Sequence, residues 1–312
     1  MCGTLSERNG GGCAETASWK CRPFFQWRGG NKREMMIRIG EIAYANSAPI
    51  FAALRRMGLA DPYEFIPGEP AELNRMLYAG EIDLAPCSSF EYGLHPANYF
   101  LIPDLSISSD HEVESVLLIS RLPIEDLHGK MILLSPASAS SNALIRILLE
   151  KRYQAGCAYR FPEEGPHRSG FEANARIMIG NPALKVYLGK NRSRPGYVYD
   201  LSLLWRDFTG LPFVFALWII RREAVLREKE EIARLVQSLY RARGFAESHF
   251  HEMAGEFEKA LEIPAEDLVR YWESISFDLN EEKIKSLKSY FDYAEELGLI
   301  PKSPPLVFFI GA

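Results

Sequence analysis

Three times between residues 37 and 148 a short β-prone run ends near a pair of small polar residues and gives way to a helical pattern. The runs are 37–42, 82–85 and 131–134, and the pairs are Asn46-Ser47, Ser88-Ser89 and Ser140-Ser141. Strands that alternate with helices predict an α/β fold with a mainly parallel sheet. Ser47 suits an N-cap, Pro49 a first turn and Gly58 a stop for the first helix. A strand is expected at 63–66. A helix over 70–79 then places Leu73, Met76 and Leu77 on one face and stops at Gly80.

Further strands are expected at 116–119 and 177–180, with a short helical turn over 123–130. Leu144, Ile147 and Leu148 mark the helix after Ser140-Ser141. Segments 198–205 and 213–220 flank the turn Thr209-Gly210-Leu211-Pro212, and the chain from Glu223 to near Leu299 reads as helical and charged. Asp104 and Asp110, on either side of Leu105-Ser106-Ile107-Ser108-Ser109, read as turn formers.

With 312 residues and 47% hydrophobic content, two domains or one bilobed unit is expected. The apolar run 213–220 is far short of the ~20 residues that cross a bilayer, so no membrane partner is expected. A net charge of −5 argues against nucleic acid, whose phosphates need a basic face. Residues 1–34 are rich in glycine, cysteine and basic side chains without any period. They read as a disordered tail or a spurious upstream extension, with Met35 or Met36 as the start, in preference to a basic targeting arm. Five cysteines in no paired spacing, with no apolar leader, point to reduced thiols and a cytoplasmic setting.

Phosphate-binding glycine loops, Cys-x-x-Cys and His-Glu-x-x-His are all absent from the sequence. His249 and His251 are two residues apart, so on a helix they face different sides and share no metal. Cys87 reads as a small buried residue. The positive signal is the three polar turns. In open α/β sheets ligands bind at the carboxyl ends of strands, where unpaired helix N–H groups favour an anion. Singly, each pair could merely cap its own helix; together, in two lobes facing one cleft, Asn46, Ser47, Ser88, Ser89, Ser140 and Ser141 suit a small carboxylate. Tyr44 is a cleft-lining candidate, and Ser115 stands where the chain passes between lobes.

The wording of these motifs resembles the chorismate dehydratases of menaquinone biosynthesis. The similar stretches are Gly40-Glu41-Ile42-Ala43-Tyr44-Ala45-Asn46-Ser47-Ala48-Pro49, then Glu72-Leu73-Asn74 with Gly80-Glu81-Ile82-Asp83-Leu84-Ala85-Pro86-Cys87-Ser88-Ser89-Phe90-Glu91-Tyr92. They continue with Pro103-Asp104-Leu105-Ser106-Ile107-Ser108-Ser109-Asp110, Ser115-Val116-Leu117-Leu118-Ile119-Ser120 and Thr209-Gly210-Leu211-Pro212-Phe213-Val214-Phe215-Ala216-Leu217-Trp218, all in order within residues 36–222. The resemblance implies a two-lobed fold like type II periplasmic binding proteins. Lobe one would hold 36–112 plus 222–312 and lobe two 113–221, with the ligand in the interlobe cleft.

It also implies a hydro-lyase that dehydrates chorismate to 3-[(1-carboxyvinyl)oxy]benzoate on the futalosine route, with no metal and no organic cofactor. Asn46 and Ser115 match the family's proposed catalytic pair, and Ser88, Ser140 and Ser141 match positions that would hold carboxylates. The family's proposed base is the substrate's own enolpyruvyl carboxylate. Two positions depart from the pattern: Asn181 stands where the family usually has aspartate, and His111 where glycine is common. The alternatives are the sister enzyme that makes 1,4-dihydroxy-6-naphthoate, whose characteristic opening is absent, and a non-catalytic carboxylate-binding protein, which would need export.

Overall fold

The computed structural model describes residues 36–162, 173–189 and 196–311; the tail expected at 1–34 lies outside them. In the first half, Ile37 and Ile39 bury one face of β1 (Ile37–Ile42), which leads into α1 (Ala48–Arg56). Strand β2 (Tyr63–Gly68) and helix α2 (Pro70–Ala79) follow. Gly80 ends α2 in the left-handed region at φ 79°, where a side chain would be strained and would also meet the Arg221 guanidinium. Next come β3 (Leu84–Ser88), α3 (Ser89–Leu94) and β4 (Tyr99–Ser109).

The chain then crosses to β5 (Val116–Ser120), β6 (Met131–Leu133), α4 (Ala139–Ile147), β7 (Ala158–Arg160), β8 (Ala175–Ile179) and α5 (Gly180–Tyr187). Strand β9 (Tyr197–Asp200) and helix α6 (Leu201–Thr209) complete the second lobe, and β10 (Phe213–Arg221) returns. Four helices close the chain: α7 (Arg222–Ser248), α8 (Phe250–Leu261), α9 (Ala265–Ser274) and α10 (Glu281–Glu296).

Two five-stranded sheets result, ordered β2-β1-β3-β10-β4 and β7-β6-β8-β5-β9. β1 pairs in parallel with β2 and β3, while β10 runs antiparallel to both β3 and β4. In the second sheet β6 pairs in parallel with β7 and β8, while β5 runs antiparallel to β8 and β9. The sheets are therefore mixed where a mainly parallel sheet was expected, because the two strands that follow the lobe crossings enter their sheets reversed. The two-lobed α/β plan stands as expected.

Other expectations are corrected. The lobe boundary expected after residue 221 falls before β10, because β10 is an inner strand of the first sheet. Asp104 is not a turn former but a left-handed residue (φ 47°) inside the eleven-residue β4, where the pairing with β10 shifts register. Segment 198–205 splits at Asp200, whose carboxylate accepts the N–H groups of Ser202 and Leu203 and so starts α6. The carboxyl-terminal region serves both lobes rather than lobe one alone: α1 packs on α7, yet Lys185 of α5 pairs with Glu262 and Trp205 of α6 donates to Ser286 at 2.9 Å. Residues 307–309 pair with Leu101 and cover the β4 edge of the first sheet.

Candidate functional site

Sheet direction puts the candidate turns together. β1 and β3 are parallel neighbours, so the segments after them, with Asn46 and with Ser88-Ser89, lie at one edge of the first sheet. β6 and β8 are parallel neighbours, and β5 begins where β8 ends, with Val116 opposite Ile179. Ser140, Gly180 and Ser115 therefore share one edge of the second sheet. Hydrogen bonds join the two edges at two places, the serines and the Asn46 turn.

At the first place, Ser88 Oγ lies 2.5 Å from Ser140 Oγ, and Ser89 Oγ lies 3.2 Å from it. Ser140 donates to the Phe215 carbonyl at 2.7 Å and Ser89 to that of Val214 at 2.9 Å. With those protons committed, Ser88 is the donor to Ser140, while its oxygen accepts from Phe90 N–H. Tyr290 of α10 adds a bond to the Ser140 carbonyl at 3.1 Å. All three serine side chains are buried. Their hydroxyl protons are used within the protein, so donors for an anion here would be the N–H groups of Ala139 and Ser140 at the start of α4, that of Ser141 being taken by the Ser138 cap.

Ser47 and Ser141 stand apart from that cluster. Ser47 is fully buried and donates back to the Ile42 carbonyl at 2.9 Å, locking the turn instead of capping α1. Ser141 bonds Ser138, and Ser138 is the residue that caps α4.

At the second place the Ala45 peptide groups are held from two directions. Ala45 N–H donates to Asn181 Oδ1 at 2.9 Å, and the Ala45 carbonyl accepts from Trp272 Nε1 at 2.7 Å. Asn181 Nδ2 also reaches the Ala43 carbonyl at 3.4 Å. The Tyr44 ring lies so close over Gly180 (φ 66°) that a Cβ there would sit 2.8 Å from the ring, and the Tyr44 phenol donates to Glu69 at 2.5 Å. Asn46 follows directly, and its Oδ1 is buried without a hydrogen-bond partner.

Ser115 is supported by the same two segments. Gly180 N–H donates to its carbonyl at 2.8 Å, and its Oγ is 2.8 Å from the Tyr271 phenol oxygen. Burial raises the Tyr271 pKa, so the phenol keeps its proton. Ser115 is its hydrogen-bond partner among the described residues, and either hydroxyl can be the donor in that contact. When Tyr271 donates, the Ser115 proton is free to be given elsewhere.

The approach to Ser115 is a tight crossing. Glu114 is left-handed (φ 58°), and the N–H groups of Val113 and Glu114 both donate to Asp200 Oδ2, at 3.0 and 2.7 Å. Burial pushes the Asp200 carboxyl up to about 6 against the pull of its backbone donors. Burial also raises Glu114, opposed by Arg270, whose guanidinium stands 4.0 Å away.

Asn181 was visible in the sequence only as a departure; Tyr271, Trp272 and Asp200 were missed. Asp200 carried a legible signal, an aspartate before an apolar helix. Tyr271 and Trp272 carried none, since aromatic residues on an amphipathic helix read as core. Cys87 is buried, and its thiol is raised well above the ordinary range by that burial. His249 stacks on Phe245, and among the described residues no group of three or more His, Cys, Asp or Glu is arranged to hold a metal ion. No helix of the described residues is long and apolar enough to cross a membrane.

Comparison with known proteins places this geometry in a family. Residues 37–296 match the model of a family described as menaquinone biosynthesis. A chorismate dehydratase of Thermus thermophilus is 32% identical over 274 residues, covering 84% of this chain and 95% of that protein. One from Campylobacter jejuni is 29% identical over 194 residues, covering 61% and 70%. Among solved structures, a protein of Archaeoglobus fulgidus superposes with a TM-score of 0.67 at 20% identity, covering 86% of this chain and all of that one. The periplasmic aliphatic sulphonate binding protein of Escherichia coli gives 0.58 at 15%, covering 89% and 94%. The structural likenesses show the fold, that of periplasmic binding proteins, and the sequence matches show the family: this chain belongs to the menaquinone-biosynthesis family of the chorismate dehydratases.

Proposed function

We propose that this chain is a hydro-lyase that converts chorismate to 3-[(1-carboxyvinyl)oxy]benzoate for menaquinone biosynthesis. The observation that carries the reading is a buried acceptor without a partner, Asn46 Oδ1; beside it the Ser115 hydroxyl can donate to a ligand when Tyr271 donates to it. A buried polar atom left unpaired costs about 1–3 kcal/mol, so a site built this way favours a ligand that supplies the missing donor. The leaving hydroxyl of chorismate supplies it, giving its hydrogen to Asn46 and accepting one from Ser115. The carboxylates of the substrate meet the opening N–H groups of α4 beside the Ser88–Ser140 contact.

In the reaction the ring proton beside the ether oxygen goes to the substrate's enolpyruvyl carboxylate. The electrons of that C–H bond become the third ring double bond, and the neighbouring C–O bond breaks. The departing hydroxide takes the proton and leaves as water. Aromatisation drives the step, so the protein's task is to hold the hydroxyl and the ether side chain in line with preorganised neutral groups. The unbridged thiols of Cys87 and Cys157 support a cytoplasmic setting.

The fold is shared with solute-binding proteins, so binding without turnover is the competing reading. Purified protein is mixed with chorismate and followed by ultraviolet absorbance and product mass. Loss of one water supports the lyase; chorismate bound and recovered unchanged overturns it. Asn46→Ala is expected to lose about 10²–10⁴-fold in kcat while folding normally, and unchanged turnover would remove Asn46 from the mechanism.

A further inference from the structure

Asn46 lies on the first lobe and Ser115 on the second, so their alignment depends on what joins the two lobes beside them. Two dipeptides do so, and each touches Ser115 and Ala45, the residue that precedes Asn46. Gly180–Asn181 gives one bond to the Ser115 carbonyl and one to Ala45 N–H; Tyr271–Trp272 gives one to the Ser115 hydroxyl and one to the Ala45 carbonyl. Of these four contacts, the bond from Ala45 N–H to Asn181 Oδ1 is the one that runs directly from lobe to lobe. Among the described residues that side chain makes one other hydrogen bond, the 3.4 Å contact to the Ala43 carbonyl, so its amide spans the turn that presents Asn46.

We propose that Asn181 is a positioning residue for the dehydration: a cross-lobe latch that orients Asn46 by holding the Ala45 N–H, so that closure of the lobes and alignment of the Asn46 amide are one event. The inference rests on the reading of Asn46 as catalytic and goes beyond it. The amide suits the task on both sides, since its oxygen accepts from a peptide N–H and its nitrogen donates to a peptide carbonyl. When it is removed, the lobes remain joined through Ser88, Ser89 and Ser140. The loss therefore falls on the placement of Asn46 more than on the grip on substrate. A misplacement of about 1 Å in a reacting geometry costs on the order of 10²-fold.

Asn181 is half-buried at the second position of α5, where alanine is the better helix former, so Asn181→Ala is expected to fold. The test is a double-mutant cycle with Asn46→Ala, read as kcat and KM for chorismate. Asn181→Ala alone is expected to lower kcat by about 10- to 100-fold with KM within about threefold. In the Asn46→Ala background the same change is expected to lower kcat less than about twofold, because the group it aligns is gone. Asn181→Asp keeps an acceptor for Ala45 N–H and is expected to restore kcat to within about threefold of the parent. Equal losses in the two backgrounds overturn the latch while leaving the lyase standing, as does a parent-like rate for Asn181→Ala or an Asp variant as slow as the Ala variant. A parent-like rate for Asn46→Ala overturns the role of Asn46 and the latch together, and a parent protein that leaves chorismate unchanged overturns the proposed function itself.

Discussion

The Tyr271 phenol and the Ser115 hydroxyl lie 2.8 Å apart in a fully buried contact that passes from α9 to the start of β5. When Tyr271 donates, it fills one lone pair of Ser115 and thereby sets the direction of the Ser115 proton. Tyr271→Phe keeps the ring and removes only that constraint. A neutral hydrogen bond is worth about 0.5–1.5 kcal/mol. The variant is accordingly expected to lose up to about tenfold in kcat with little change in KM. Steady-state rates by ultraviolet absorbance check it, and a wild-type kcat would show that Ser115 needs no such support.

Ser140 sits where three structural units meet, bonded to Ser88, to the Phe215 carbonyl and, through its own carbonyl, to Tyr290. Ser140→Ala leaves the Phe215 carbonyl without that donor and Ser88 without an acceptor in a buried place. The expected loss is about 1–3 kcal/mol of unfolding free energy, from the desolvated groups left behind. Urea unfolding measures it. A variant as stable as the parent would mean that the carbonyl finds another donor.

Asp200 predicts a stability trend with pH. Burial pushes its carboxyl from the ordinary 3.8 up to about 6, so the folded state holds the proton more tightly than the unfolded state does. The unfolded state therefore loses that proton first as pH rises, and the Asp200 contribution to stability falls between about pH 4 and pH 6. A shift of that size amounts to roughly 3 kcal/mol at full effect. Asp200→Asn removes the titration along with one acceptor of the Val113–Glu114 crossing. The difference between parent and variant, followed by urea unfolding from pH 4 to pH 7, is expected to shrink as pH rises. A constant difference would exclude Asp200 as the titrating group.

Lys283 is a cation buried inside the carboxyl-terminal region, with its ammonium donating to Ser276 Oγ at 2.6 Å and pairing with Asp278. Burial opposes ionisation of Asp278, but the bonds from Lys283 and Ser276 keep its carboxyl below the usual range. Lys283→Met fills similar volume and strands a partly exposed carboxylate. Breaking a fully buried pair costs about 3–5 kcal/mol, and the solvent reaching Asp278 reduces this to about 2–3 kcal/mol. Thermal and urea unfolding read the loss, while the kcat of the folded variant is expected to stay near the parent value.

Much of the candidate site was legible because local chemistry marks its polar turns. Asn46, Ser88 and Ser140 are small polar residues that follow apolar runs, and a parallel pair of strands must deliver such turns to a common edge. Reading further along the same lines failed where a residue's role depends on a distant partner. Ser47 and Ser141 look like Asn46 and Ser140 in sequence, yet one locks its own turn and the other bonds a local cap. Asp104 looks like a turn former because a left-handed residue inside a strand breaks the two-residue alternation that marks strands.

The amino-acid sequence by itself determined the alternation of strands and helices, the helix stops at Gly58 and Gly80, the family, and the polar turns from which a site is made. These follow from hydrophobic period and backbone preference, which act over a few residues. Only the tertiary structure decided which hydroxyl protons are already committed, that β5 and β10 enter their sheets reversed, and that Asn181, Tyr271 and Trp272 gather around Asn46 and Ser115. Those facts depend on contacts such as Ser89–Ser140, Ser120–Ala175 and Ala45–Trp272, which lie 51, 55 and 227 residues apart along the chain. Such contacts are selected by the packing of whole lobes, and no short-range pattern in the chain encodes them.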